Sequence, residues 1–83
     1  MIKMVGCVYI GCKSDSMRID DDVDADTAHE RYDEGEYDRY INMMKNENPQ
    51  ENGFWIEHCY IPYDEDKDEF DYESEDMSWK WPA

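Results

Sequence analysis

The sequence predicts an α+β fold: a small antiparallel sheet of three to four strands with one helix, which either runs through or breaks near Gly35. Three observations predict it. Residues 2–10 (I-K-M-V-G-C-V-Y-I) and 54–61 (F-W-I-E-H-C-Y-I) are rich in β-branched and aromatic residues, as buried strands are. Between them, Tyr37, Tyr40, Ile41 and Met44 recur at helical spacing. Toward the end of the chain, aromatic residues alternate with charged ones, the pattern of a half-exposed strand.

Taken in order, residues 2–10 form the first strand, and residues 11–16 are turn-like. Met17, Arg18 and Ile19 then return beside the first strand as a hairpin partner. Residues 20–26 (D-D-D-V-D-A-D) repel one another too strongly for a regular element and read as a solvated loop. Thr27 with Glu30 three residues on fits a capping box that opens the helix. Ala28 and Tyr32 lie nearly opposite Tyr37, Tyr40, Ile41 and Met44 on a helical projection, so the phase slips near Gly35. Asn46, Asn48 and Pro49 end the helix. Residues 54–61, closed by Pro62, pair with the first strand. Phe70 and Tyr72 alternate with Glu69, Asp71 and Glu73, and Trp79 and Trp81 with Ser78 and Lys80, which predicts a C-terminal hairpin turning near residues 75–77.

At 83 residues the chain is a single acidic domain, residues 1–83, with no room for a deep enzyme cleft and its scaffold. A domain this small buries only about 60% of the surface its unfolded chain exposes. The mean hydropathy of -1.08 is that of a disordered chain, but two Phe, three Trp and seven Tyr supply the side chains that bury most area each. A folded core wrapped in acid is the resolution. Three cysteines, Cys7, Cys12 and Cys59, lack C-x-x-C spacing and read as free thiols of a reducing cytoplasm. The apolar start has no small-residue cleavage site and is too short to span a bilayer.

The dominant feature is charge: 23 acidic against 8 basic residues, a net charge of -15. Residues 15–38 hold 11 carboxylates and residues 64–76 hold nine. Such an excess repels itself, and salt or a cationic partner relieves that repulsion. Solubility alone needs a net charge of about 2 to 8 with the signs interspersed. The candidate partner-binding residues are Asp20, Asp21, Asp22, Asp24 and Asp26 in the first block. In the second they are Asp64, Glu65, Asp66, Asp68, Glu69, Asp71, Glu73, Glu75 and Asp76. On a strand, Glu69, Asp71 and Glu73 would stand about 6.6 Å apart, near every second phosphate of a nucleic-acid strand.

Metal and catalytic chemistry fit less well, and neither a catalytic residue nor a cofactor is assigned. Asp22, Asp24 and Asp26 have the D-x-D-x-D start of a calcium loop, but Thr27 stands where that loop needs glycine and Asp33 where it needs glutamate. His58 and Cys59 are adjacent on a strand and face opposite sides, which breaks up a zinc set with Cys7 and Cys12. His29 has no Ser or Cys beside it to form a nucleophile pair.

In size, charge and the stretches D-D-D-V-D-A-D and D-E-D-K-D-E-F-D-Y-E-S-E-D, the chain resembles small phage-encoded acidic inhibitors that mimic DNA. These include anti-restriction, uracil-glycosylase-inhibitor and anti-CRISPR proteins. The resemblance implies a cytoplasmic inhibitor without turnover that occludes a DNA- or guide-RNA-binding channel. The favoured target is a CRISPR effector, ahead of a restriction or DNA-repair enzyme. The alternative is an assembly module that docks on a basic histone-like or ribosomal surface.

Overall fold

Strands β1 (Ile2–Cys12) and β3 (Phe54–Asp64) form the centre of the sheet in the computed structural model, which describes all residues from Met1 to Ala83. They pair antiparallel along their whole length, Ile2 opposite Asp64 and Cys12 opposite Phe54. Both have neighbours on each edge, and their sequences are apolar on both faces because each face carries a cluster of buried side chains. β2 (Asp15–Asp21) returns along the other edge of β1, as the hairpin expectation required. It runs two residues further than Ile19. Val8 is level with Asp20 and Tyr9 with Arg18, so Ile19 is the extra residue of a bulge. Asp20 and Asp21, expected in a loop, are strand residues whose backbone pairs with β1.

The C-terminal segment departs further from expectation. There is no hairpin turning near residues 75–77. Instead β4 (Glu69–Phe70) and β5 (Asp76–Pro82) both pair antiparallel with the same edge of β3, separated by a 3-10 turn over Tyr72–Ser74. Pro62 does not close β3, because its missing N–H falls where the edge partner changes from β5 to β4. Its carbonyl faces that gap and accepts the Asp71 N–H at 2.9 Å.

Two helices, not one, cover one face of the five-stranded sheet. α1 (Ala25–Asp33) begins two residues before Thr27, because Asp24 is the N-cap: its carboxylate accepts the Thr27 N–H at 2.7 Å. Gly35, at φ 81°, ends it. The Gly35 N–H bonds the Tyr32 carbonyl and the Glu36 N–H the Arg31 carbonyl, a Schellman closure for which glycine suits the left-handed position. α2 (Asp38–Glu47) follows and stops where the Asn48 amide caps the Met44 carbonyl at 3.0 Å, one residue before Pro49.

The main core lies between this helical layer and the sheet: Val8, Ile10, Cys12 and Ile56 against Ala28, Tyr37, Ile41 and Met44. On the opposite face Val5, Cys7, Cys59 and Ile61 form a smaller cluster, sheltered by the side chains of Tyr9, Tyr63 and Phe70 rather than by another layer. With one face covered by helices, 17 of 83 residues are buried, and the fold depends on few contacts.

One of those contacts lets the chain leave β2 and reach α1. The backbone crosses the sheet at Val23, whose N–H bonds the Gly6 carbonyl at 3.1 Å and whose carbonyl accepts the His58 Nε2–H at 2.6 Å. A Cβ on Gly6 would stand 1.9 Å from the Val23 oxygen and 2.8 Å from His58 Nε2. Gly6→Ala therefore expels the crossover and leaves buried polar groups unpaired, at about 1–3 kcal/mol each. Urea unfolding should show Gly6→Ala destabilised by about 3 kcal/mol. Gly53→Ala, where an added Cβ meets nothing within 4 Å, should change stability by less than about 0.5 kcal/mol.

Candidate partner-binding surface

The sheet register brings the two acidic blocks to the same end of the molecule. Asp21, Cys7, Cys59 and Met77 form one row across β2, β1, β3 and β5, and Asp76 lies opposite Tyr60 in the next row. The first block thus leaves one edge of the sheet level with the start of β5 on the other edge, about 14 Å away at three strand spacings. Asp64, opposite Ile2, carries the second block around the tip, about 17 Å beyond that row. Asp64, Glu69 and Asp71 lie at this tip, whereas Glu75 lies further along the sheet, beside Ser16, Arg18 and Glu57.

The carboxylates are not equivalent. Asp20 turns inward, accepting from Arg31 Nη1 and the Tyr37 hydroxyl, each at 2.7 Å. Partial burial pushes its carboxyl up, but the bonds from Tyr37 and Arg31 outweigh that and hold it below its ordinary value of 3.8. Tyr37 in turn is pushed well up by burial and by the Asp20 carboxylate. Asp24 is held low by the Thr27 N–H it caps. Asp21, Asp22 and Asp26 accept no side-chain bond and face solvent, Asp22 with a positive φ of 51° that aspartate tolerates.

In the second block, several carboxylates shape the loop that carries them. Asp64 accepts the N–H groups of Asp66 at 3.0 Å and Lys67 at 3.3 Å, and Asp66 pairs with the N-terminal ammonium at 2.7 Å. Glu65 pairs with Lys3 at 3.4 Å, Asp68 accepts the Tyr63 hydroxyl, and Asp71 accepts the Ser74 hydroxyl at 2.8 Å. Glu75 lies 3.8 Å from the Cys59 thiol, which burial, with that carboxylate second, pushes up to about 12. Glu69, Glu73 and Asp76 are exposed without such a partner. Because the chain enters the 3-10 turn at Tyr72, Glu69, Asp71 and Glu73 do not form the even row of one strand face expected from their alternation.

What the sequence does not display is where the cations go. Lys3, Arg18, Arg39, Lys45 and Lys80 each lie over an aromatic ring, Lys80 over Trp55 at 4.5 Å and Arg18 over Phe70 at 4.9 Å. Arg18 also donates to the hydroxyls of Tyr9 at 2.8 Å and Tyr72 at 2.9 Å, tying the 3-10 turn to β2. Among side-chain carboxylates, Asp20, Glu65 and Asp66 pair with a cation and Asp33 lies 3.4 Å from the His29 imidazole; the other 19 of 23 have no such partner. The three cysteines are free, and Cys12 and His58 point to the helical face while Cys7 and Cys59 point to the other. No group of His, Cys, Asp and Glu is placed to hold a metal ion, and no helix is long and apolar enough to cross a membrane.

Comparison with protein-family models, curated proteins and solved structures finds no match for the chain.

The Asp20 contacts have a pH signature. Because the folded carboxyl titrates below its ordinary value, its contribution is complete above about pH 4 and is lost as pH falls through the lower folded value. Asp20→Asn should therefore be less stable than the parent by about 2 kcal/mol at neutral pH. Thermal unfolding should show that gap constant down to about pH 4 and closing below it. A gap that persists unchanged in acid would mean that the ionised carboxylate is not what matters.

Proposed function

We propose that this chain is a nucleic-acid-mimicking inhibitor that occupies the basic DNA- or guide-RNA-binding groove of a defence protein, with a CRISPR effector as the first target to test. The observation that carries the proposal is the separation of charge: 19 of 23 carboxylates have no ionic partner, many of them in the two blocks at one end of the sheet, while five of the eight cations lie over aromatic rings. A groove that releases counterions to phosphates gains the same entropy from fixed carboxylates, and tyrosines among the acids offer hydroxyls where sugars and base edges would be. The geometry agrees in scale. The two flanks, about 14 Å apart, compare with the roughly 12 Å width of a major groove, so each stands in for one phosphate backbone.

The carboxylates free to act are Asp21, Asp22, Asp26, Glu69, Glu73 and Asp76, since the others named above hold the loops in place. Neutralising these six to Asn or Gln should leave the fold intact and weaken target binding more than tenfold. The parent's binding should weaken steeply between low and physiological salt, with a shallower slope in the variant. A low-salt capture from bacterial lysate identifies the target; duplex DNA or guide RNA should then compete with the chain for it. A ternary complex of chain, target and nucleic acid would overturn mimicry and leave docking on a histone-like or ribosomal surface as the better account.

A further inference from the structure

The helical layer stops short of the acidic end. α1 starts at Ala25, whose N–H donates to the Tyr60 hydroxyl at 3.1 Å, and the Val23 crossover lies over Gly6. Beyond that row, on the same face of the sheet, nothing covers Ile2, Met4 and Pro62. Met4 is opposite Pro62 and Ile2 opposite Asp64, so the three apolar side chains share one face. Ile2 is 59% and Met4 50% exposed, whereas Val8, Ile10 and Ile56 further along that face are at 0%. At the β3–β4 edge a groove of about 270 Å³ adjoins Ile2 and Pro62, lined also by Asp64, Glu69, Phe70 and Asp71, with Lys67 its one cation.

We propose that this bare end of the sheet is the apolar centre of the docking surface, and that it takes an aliphatic side chain standing among lysines or arginines on a basic protein partner. The inference rests on the proposed function and says what the charge alone does not: where on the acidic end the contact is made. Apolar surface without a cover is costly in a chain with a core this small, and an apolar centre with a charged rim is the anatomy of a binding hot spot. Charge complementarity selects the occupant. The rim here is carboxylate: Glu69, free of any partner, lines the groove beside Asp64 and Asp71, whose charge persists while they shape the loop, and Asp22 flanks the Val23 crossover on Gly6. A second copy would bring the same rim and the same net charge of -15 against it, whereas a basic surface is attracted. In this division of labour the rim sets the rate of encounter and its salt dependence, and the apolar centre sets the residence time.

Two synthetic lysine peptides of equal length and charge, one alternating with leucine and one with serine, test this with the whole chain. In an NMR titration the leucine peptide should bind about tenfold more tightly and shift the amides of residues 2–5 and 60–64 most. The double variant Ile2→Ser/Met4→Ser, whose altered side chains are exposed and whose melting temperature should match the parent's, should bind both peptides equally, with serine-peptide affinity unchanged. A leucine preference that survives in the variant, or equal binding of both peptides to the parent, would overturn the proposal. Self-association of the parent in sedimentation, lost in the variant, would also overturn it by showing that a second copy covers the patch. If the leucine preference holds but nucleic acid does not compete for the captured target, the docking surface stands and only mimicry fails.

Discussion

The close approach of the Val23 carbonyl to Gly6 and His58 is the contact on which the rest of the structure depends. β2 ends at one edge of the sheet, yet α1 must start over β3 and β5, so the backbone has to pass across the sheet surface within hydrogen-bonding distance. Only a residue without a side chain allows it at Gly6. Once the crossover is seated, Asp24 falls where it caps α1, Tyr60 and Trp79 bond the Ala25 backbone, and Ala28 enters the core. The same crossover fixes the first acidic block, which would otherwise be a self-repelling loop, in a defined position at one end of the sheet.

The fold tolerates its excess charge by separating two uses of carboxylate. Asp20, Asp24, Asp64, Asp68 and Asp71 accept bonds from arginine, hydroxyl or backbone N–H groups, so their charge is stabilised where they stand. Others are left to solvent, where repulsion is weakest because water screens it. Few cations intersperse among them: Lys3, Arg31 and Lys67 do. Rings on or beside the sheet, Tyr9, Phe54, Trp55, Tyr63, Phe70 and Tyr72, hold Lys3, Lys45, Lys80 and Arg18, and so the aromatic content of this chain serves both core and charge placement. Neither use appears in the net charge.

Much of the scaffold was legible in the sequence, because it follows from local chemistry: the two buried strands, their pairing, the hairpin with Met17 and Ile19, the break at Gly35 and the end at Asn48 and Pro49. What was not legible depended on tertiary partners. Phe70 and Tyr72 alternate with acids as a strand would, but Arg18 binds the Tyr72 hydroxyl from β2 and the chain turns there. Pro62 looks like a strand end until the switch from β5 to β4 removes the need for its N–H. Thr27 and Glu30 match a capping box, yet Asp24 precedes them and takes the cap. Likewise the acidic blocks could be counted from the sequence, whereas the inward turn of Asp20 and the exposure of Ile2 and Met4 follow from where β2 and the helices stop.

Unpaired carboxylates should concentrate a negative potential at the end of the sheet where residues 20–26 and 64–76 meet. Paramagnetic relaxation of backbone amides by a cationic and an anionic nitroxide of the same size measures that potential residue by residue. The cationic probe should be enriched most strongly over those two segments, and much less near Lys13, Lys45 and Lys80 at the opposite end. Equal enrichment over both ends would contradict it.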